Sequence, residues 1–88
     1  MKVEFSKSFE KDLGKIRDKD LLIKIKAIIE EVEGSERFLD VSNVKKLKAD
    51  GSYYRIRAGD YRVGLTKDEG LITFVRVLHR KEMYRYFP

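Results

Sequence analysis

Polar and apolar residues alternate at the start of the chain, where Val3 and Phe5 stand against Lys2 and Glu4, and this period of two predicts a short first strand. The period then changes. Phe9, Leu13 and Ile16 recur at helical spacing, which predicts a helix over residues 8–17 capped by Ser6 or Ser8 and weakened slightly by Gly14. The polar stretch RDKD at 17–20 is a turn, and Asp18 or Asp20 can cap a second helix. Leu22, Ile25, Ile29 and Val32, widened by Leu21 and Ile28, form the apolar stripe of that helix, which Gly34 ends. The apolar faces of this antiparallel pair need a sheet to cover them.

Residues 35–43 read as a loop. VKKLKADG, from Val44, fits either a short edge strand or a turn into the sheet. Alternation returns in SYYRIRA, with Tyr54, Ile56 and Ala58 against Tyr53, Arg55 and Arg57, and in YRVGLT, with Tyr61, Val63 and Leu65 against Arg62, Gly64 and Thr66. Gly59–Asp60 between them is turn chemistry, so the two segments predict a hairpin. KDEG at 67–70 is a second turn, and LITFVRVL is the most apolar segment, expected inside the sheet. HRKEMYRYF is short and reads as a helical turn before Pro88. The expected fold is α+β, in the order β-α-α-β-β-β with a short C-terminal helix, an antiparallel-rich sheet packed on the N-terminal helix pair.

Strand alternation sorts the hairpin into two faces. The apolar parity faces the helices, so Arg55, Arg57 and Arg62 share the opposite face with Tyr53. Cross-strand neighbours lie about 5 Å apart, and like charges that close repel unless an anion sits between them. Asp60, at the turn, is the one acid in the hairpin. The alternative is that the long side chains splay into water and pair with scattered acids. Other cations are expected to converge here. Lys45, Lys46 and Lys48 precede the hairpin, and Arg76, His79, Arg80 and Lys81 close the last strand. Guanidinium is planar, permanently charged and bidentate, which suits phosphate. Tyr53 could stack on a base.

Charge placement supports the same reading. Residues 1–42 carry nine Lys/Arg and ten Asp/Glu, whereas residues 43–88 carry eleven and five, so the net charge of +5 comes from the second half. A polyanionic partner, nucleic acid or a ribosomal surface, fits that asymmetry. Eighty-eight residues form one domain spanning 1–88. No cysteine is present, which removes disulfide and thiolate chemistry. No apolar run approaches the roughly 18–20 residues that span a bilayer, and MKVEFSKSFEK has no signal-peptide core. A cytoplasmic protein without a membrane partner is expected.

Candidates for proton transfer are few. His79 is the sole histidine, the side-chain type that ordinarily titrates near neutrality. Tyr84 lies four residues after Arg80, on its face if the segment is helical, and Tyr86 two further on. Either phenol could serve, while the other packs with Met83 and Phe87. No paired carboxylates, metal-ligand spacing or Gly-rich phosphate loop is present, so neither cofactor nor metal is expected.

YYRIRAGDYRVGL, followed by an apolar strand and VLHRKEMYRYFP, resembles the RelE/ParE superfamily of type II toxins, and the RelE-type archaeal branch in particular. The resemblance covers nearly the whole chain, including VKKLK and the helix pair. It implies a ribosome-dependent mRNA endonuclease that cuts A-site codons through attack of a ribose 2′-hydroxyl on the adjacent phosphate, leaving a cyclic phosphate. It places Arg62 and Arg80 at the scissile phosphate, Arg55 and Arg57 as orienting or charge-stabilising groups, and Tyr84 or His79 as acid or base, with Tyr86 the alternative phenol. Lys45, Lys46, Lys48, Tyr53, Arg76, Lys81, Arg85 and Tyr86 are the RNA- or ribosome-binding candidates.

The sequence departs from the family's pattern at Arg55 and Arg57, where the best-known members carry lysines. Arginine does not give up a proton at neutral pH, so proton transfer falls to His79 and the tyrosines. The resemblance further implies a cognate antitoxin, promoter DNA contacted only through that antitoxin, and a monomeric free toxin. A ParE-like gyrase inhibitor, or a basic RNA- or protein-binding module without activity, would share the fold but need no phosphate-cleaving constellation.

Overall fold

Ser6 and Asp18 punctuate the first half as their chemistry dictates. In the computed structural model, which describes residues 1–47 and 51–88, strand β1 (Lys2–Phe5) runs into helix α1 (Lys7–Gly14) and helix α2 (Lys19–Gly34). The Ser6 hydroxyl accepts from the Phe9 N–H, and the Asp18 carboxylate accepts from the N–H groups of Asp20 and Leu21. Each satisfies donors that a helix start leaves unpaired. Ser8, the other candidate cap, instead donates to the Val75 carbonyl at 2.7 Å. A 3-10 turn at Phe38–Asp40 interrupts the expected loop and buries Phe38.

VKKLK begins as a short edge strand, β2 (Val44–Lys46), followed by β3 (Tyr53–Ala58), β4 (Tyr61–Asp68), β5 (Leu71–His79) and the helical turn α3 (Met83–Tyr86). Among the described residues the strands form one sheet in the order β1-β5-β4-β3-β2. β5 lies inside it, between β4 and β1, as its apolar character predicts. β1 pairs with β5 in parallel, Lys2 opposite Leu71 through Phe5 opposite Phe74, and the remaining pairs are antiparallel.

The main core lies between this sheet and the helix pair. Phe9, Leu21, Ile25 and Val32 from the helices meet Ile56, Ala58, Val63, Leu65, Ile72, Phe74 and Val77 from the strands. Phe9 and Phe74 have ring centroids 5.5 Å apart, and Phe5 packs on both. Leu13, Ile16, Ile28 and Ile29 are half-buried at its margin, while Leu22 points outward. A second, smaller cluster of Leu78, Met83 and Phe87, with Val75 and Leu47 against it, holds the C-terminal turn to the sheet.

Strict alternation fails at one place. β4 and β5 pair as Val63 opposite Val77 and Gly64 opposite Arg76, then as Leu65 opposite Phe74, so Val75 has no partner across the ladder. Such a bulge moves every later side chain to the other face. Ile72, Phe74 and Val77 therefore all reach the main core, whereas Leu78 joins the C-terminal cluster.

Asp12 is the buried charge among the described residues, and its partners explain it. It accepts from Arg76 Nε at 2.7 Å and Nη2 at 3.2 Å, and from the Val77 N–H at 3.1 Å. The Asp12 hydrogen bond holds the Arg76 guanidinium above its ordinary pKa, against the opposing effect of burial. This pair ties α1 to β5 just past the bulge. Asp12→Ala should lower unfolding stability by about 2–3 kcal/mol, because Arg76 and the Val77 N–H lose their acceptor together. Arg80→Ala, whose pair with Asp60 is exposed and 3.9 Å long, should cost under about 1 kcal/mol. Urea unfolding of the two variants checks the contrast.

Candidate active site

The face of the sheet away from the helices carries the arginines. Register places Arg57 directly opposite Arg62, Arg55 opposite Gly64, and Lys45 of β2 opposite Arg55. Tyr53 stands on the same parity of β3. Arg80 follows β5, and its N–H donates to the Asp60 carbonyl at 2.7 Å, which pins the end of β5 to the β3–β4 turn. The exposed Asp60 carboxylate is 3.9 Å from Arg80 Nε.

Arg62 is the centre of this group. Its Nη1 donates to the carbonyls of Gly59 at 2.8 Å and Tyr61 at 2.9 Å, so the side chain is folded onto the turn. Burial, then the charges of Arg55, Arg57 and Arg80, push its pKa down, while Tyr84 acts in the opposite direction. Arg62 nevertheless stays charged at neutral pH, and the crowding is electrostatic strain that a bound anion would relieve. Arg55 Nε adds to it: it is buried and, among the described residues, has no hydrogen-bond partner. An orphaned donor of this kind costs about 1–3 kcal/mol.

The two C-terminal tyrosines separate. Tyr84, 68% exposed, lies within electrostatic reach of Arg62. Tyr86 lies toward α1, where it faces Arg76 in a groove of about 300 Å³ that also includes Asp12, Glu82 and His79. The Arg85 guanidinium sits 5.6 Å from the Tyr86 ring centroid.

His79 does not join the arginines. The bulge pairs it with Tyr61, on the parity of Val63 and Val77, and leaves Leu78 opposite Arg62. The His79 and Tyr61 rings meet edge to face at 5.4 Å, and His79 Nδ1 accepts the Lys81 N–H at 3.2 Å. Arg76 is likewise committed elsewhere, to Asp12. Lys46 pairs with Tyr54 on the helix-side parity, so it does not share a face with Lys45. Lys81 and Arg85 are exposed beside the C-terminal turn. Lys48 lies outside the described residues. The structure therefore brings together Arg55, Arg57, Arg62, Arg80 and Tyr84, flanked by Lys45 and Tyr53.

Gly64 is a residue of this site that sequence reasoning passed over. It lies in the middle of the arginine face, buried beneath the C-terminal turn. A Cβ there would come within 2.9 Å of two carbons of the Phe87 ring and 3.0 Å of Met83 Cε. Phe87 also meets Tyr53 edge to face at 5.7 Å. Met83 and Phe87, both fully buried, flank Tyr84 in sequence, so the missing side chain at Gly64 makes the seat from which Tyr84 is presented. The signal in the sequence was a lone glycine inside an alternating strand, which marks close approach of another group.

The chain matches a family model described as the ParE toxin of type II toxin–antitoxin systems, parDE, over residues 3–84. It is 47% identical over 93 residues to toxin RelE3 of Methanocaldococcus jannaschii, with the whole of both chains covered. Its fold is similar to that of a chain in the crystal structure of the RelB–RelE antitoxin–toxin complex from Methanococcus jannaschii, with a TM-score of 0.81 and 42% identity over 97% of this chain and 99% of that one. The archaeal RelE–RelB complex from Pyrococcus horikoshii gives a TM-score of 0.74 at 23% identity, over 93% of this chain and 97% of that one, and shows the shared fold.

Gly64→Ala should unseat Phe87 at a cost of about 1–3 kcal/mol. Chymotrypsin should then cut faster at Tyr84 and Tyr86, while the main core stays protected in hydrogen exchange. Adding Phe87→Leu should restore resistance by making room for the methyl group. Digestion time courses of the three proteins check this.

Proposed function

Because this chain belongs to the ParE toxin family of type II toxin–antitoxin systems, we propose that its arginine face is the active site of a RelE-type mRNA endonuclease acting on the ribosome. The observation that carries this reading is the crowding of Arg55, Arg57 and Arg80 around Arg62, with Tyr84 alongside and Arg55 Nε left without a partner among the described residues. Such a surface is costly without an anion and suited to a phosphodiester.

The chemistry is set by the groups in reach. A ribose 2′-oxygen attacks the adjacent phosphorus and the 5′-oxygen leaves, giving a 2′,3′-cyclic phosphate. Charge gathers on the non-bridging oxygens, where preorganised guanidinium groups stabilise it. Arg62 and Arg80 hold those oxygens, and Arg55 and Arg57 orient the strand. Tyr84 is the phenol within electrostatic reach of Arg62, so its oxygen takes the 2′-proton as its own proton passes to solvent, and solvent protonates the leaving oxygen. His79, on the other side of β5, holds the post-strand turn through its bond to the Lys81 N–H and takes no part in proton transfer. Tyr53, partly exposed, offers its ring to a base for stacking.

The two archaeal RelE structures are complexes with an antitoxin, and the same kind of partner is proposed here. An antitoxin segment covering the arginines with carboxylates would satisfy the charge that RNA otherwise satisfies, and would exclude RNA by doing so. The ParE description of the family model motivates a second outcome, gyrase inhibition, which needs binding but no phosphate-cleaving group.

Primer extension on mRNA with purified protein, with and without programmed ribosomes, tests the reading. Cuts inside the A-site codon that require ribosomes are expected. Arg62→Ala and Arg80→Ala should each lower the single-turnover rate about 10²–10³-fold, and Tyr84→Phe about 10²–10⁴-fold. His79→Gln should stay within a few-fold of the wild type. Intact mRNA together with inhibited gyrase would sink the nuclease assignment.

A further inference from the structure

A groove opens beyond the end of β2. That strand pairs with β3 only as far as Val44 opposite Ile56, so Arg57 and Ala58 continue past it. α2 passes across the gap, leaving a groove of about 380 Å³. Its floor is apolar, from Ala27, Ile28 and Ala58, and its polar groups are Lys24, Arg57 and the Asn43 amide. Among the described residues, no carboxylate lines it.

Lys24 crosses from α2 to the β3–β4 turn. A Cβ on Gly59 would stand 3.4 Å from its Nζ, so the ammonium lies over a residue that is a glycine, with φ of +61. Neither Lys24 nor Arg57 forms an ion pair with another described residue. On the other side of Lys24 the situation reverses. There a groove of about 290 Å³ carries Asp18, Asp20 and Asp60. Lys24 and Arg57 line both grooves, and among the described residues the acids stand in one of them alone, so an approaching polyanion meets these two cations without repulsion in the other.

We propose that the acid-free groove holds the RNA backbone outside the cut position, with Lys24 and Arg57 sharing one phosphodiester and the Asn43 amide beside it. Arg57 is the link, because it lines the groove and stands opposite Arg62 in the ladder. The bound strand then crosses the sheet from Arg80 through Arg62 and Arg57 toward α2. This inference rests on the RNA-cleaving reading and adds to it a direction for the strand and a contact on a helix.

The test compares Lys24→Ala with Lys26→Ala, an exposed lysine of the same helix that lines neither groove. On programmed ribosomes, Lys24→Ala should raise KM severalfold at unchanged kcat and flatten the dependence of log KM on log salt by about 0.7, the loss of one single-strand phosphate contact. Lys26→Ala should do neither. Equal effects from both variants, or none from either, overturn the proposal while leaving the nuclease reading intact. Unchanged KM with weakened binding of the antitoxin also overturns it, and gives the groove to an acidic side chain of that partner. If the wild type cuts nothing, the nuclease reading has failed separately. Anisotropy with a short fluorescein-labelled oligouridylate then decides the groove: a selective loss of affinity in Lys24→Ala supports it, and equal affinity in both variants overturns it.

Discussion

One extra residue in β5 governs the chemistry of this molecule. Alternation along a strand is a strict sorting device, and a bulge inverts it from that point onward. With Val75 standing outside the ladder, Val77 returns to the main core and Leu78 comes opposite Arg62. An apolar residue beside Arg62 anchors the C-terminal cluster, which holds Met83 and Phe87 and hence sets the position of Tyr84. The same inversion sends His79 to Tyr61. Asp12 locks the segment just after the bulge, where it accepts from the Val77 N–H as well as from Arg76.

The consequence is a surface with one sign of charge and very little internal compensation. Arg55, Arg57 and Arg62 stand on adjacent strands, and the Asp60 carboxylate at their turn is an exposed partner of Arg80 at 3.9 Å. Acids elsewhere in the chain serve other ends: Asp18 caps a helix, and Asp12 holds Arg76. The stability of the main core tolerates this repulsion because the apolar parity of β3 and β4 faces the helices, while Arg55, Arg57 and Arg62 stand on the other parity. The main core and Arg55, Arg57 and Arg62 thus occupy different parities of the same strands.

Much of the architecture was legible in local pattern. The caps at Ser6 and Asp18, the apolar stripe from Leu21 to Val32, the hairpin around Gly59–Asp60 and the interior position of β5 all come from periods and residue chemistry within a few positions of one another. The face shared by Arg55, Arg57 and Arg62 was legible for the same reason, since side chains two apart on a strand point the same way. The resemblance carried by YYRIRAGDYRVGL and VLHRKEMYRYFP reached the family to which the chain belongs.

What the pattern left open lies where distant segments meet. Arg76 looked like one more cation of the basic face until Asp12, 64 residues earlier, proved to hold it. His79 adjoins Arg80 in sequence yet stands opposite Tyr61 in the ladder, because a bulge is a fact of pairing between two strands and leaves no mark on one. That Tyr84 lies near Arg62 while Tyr86 lies near Arg76 depends on how Met83 and Phe87 seat over Gly64, a packing of residues some twenty positions apart. Local sequence determined which residues alternate and where helices begin. Only the tertiary structure decided which face each later side chain occupies, because that depends on register, and register is set by partners the local sequence does not contain.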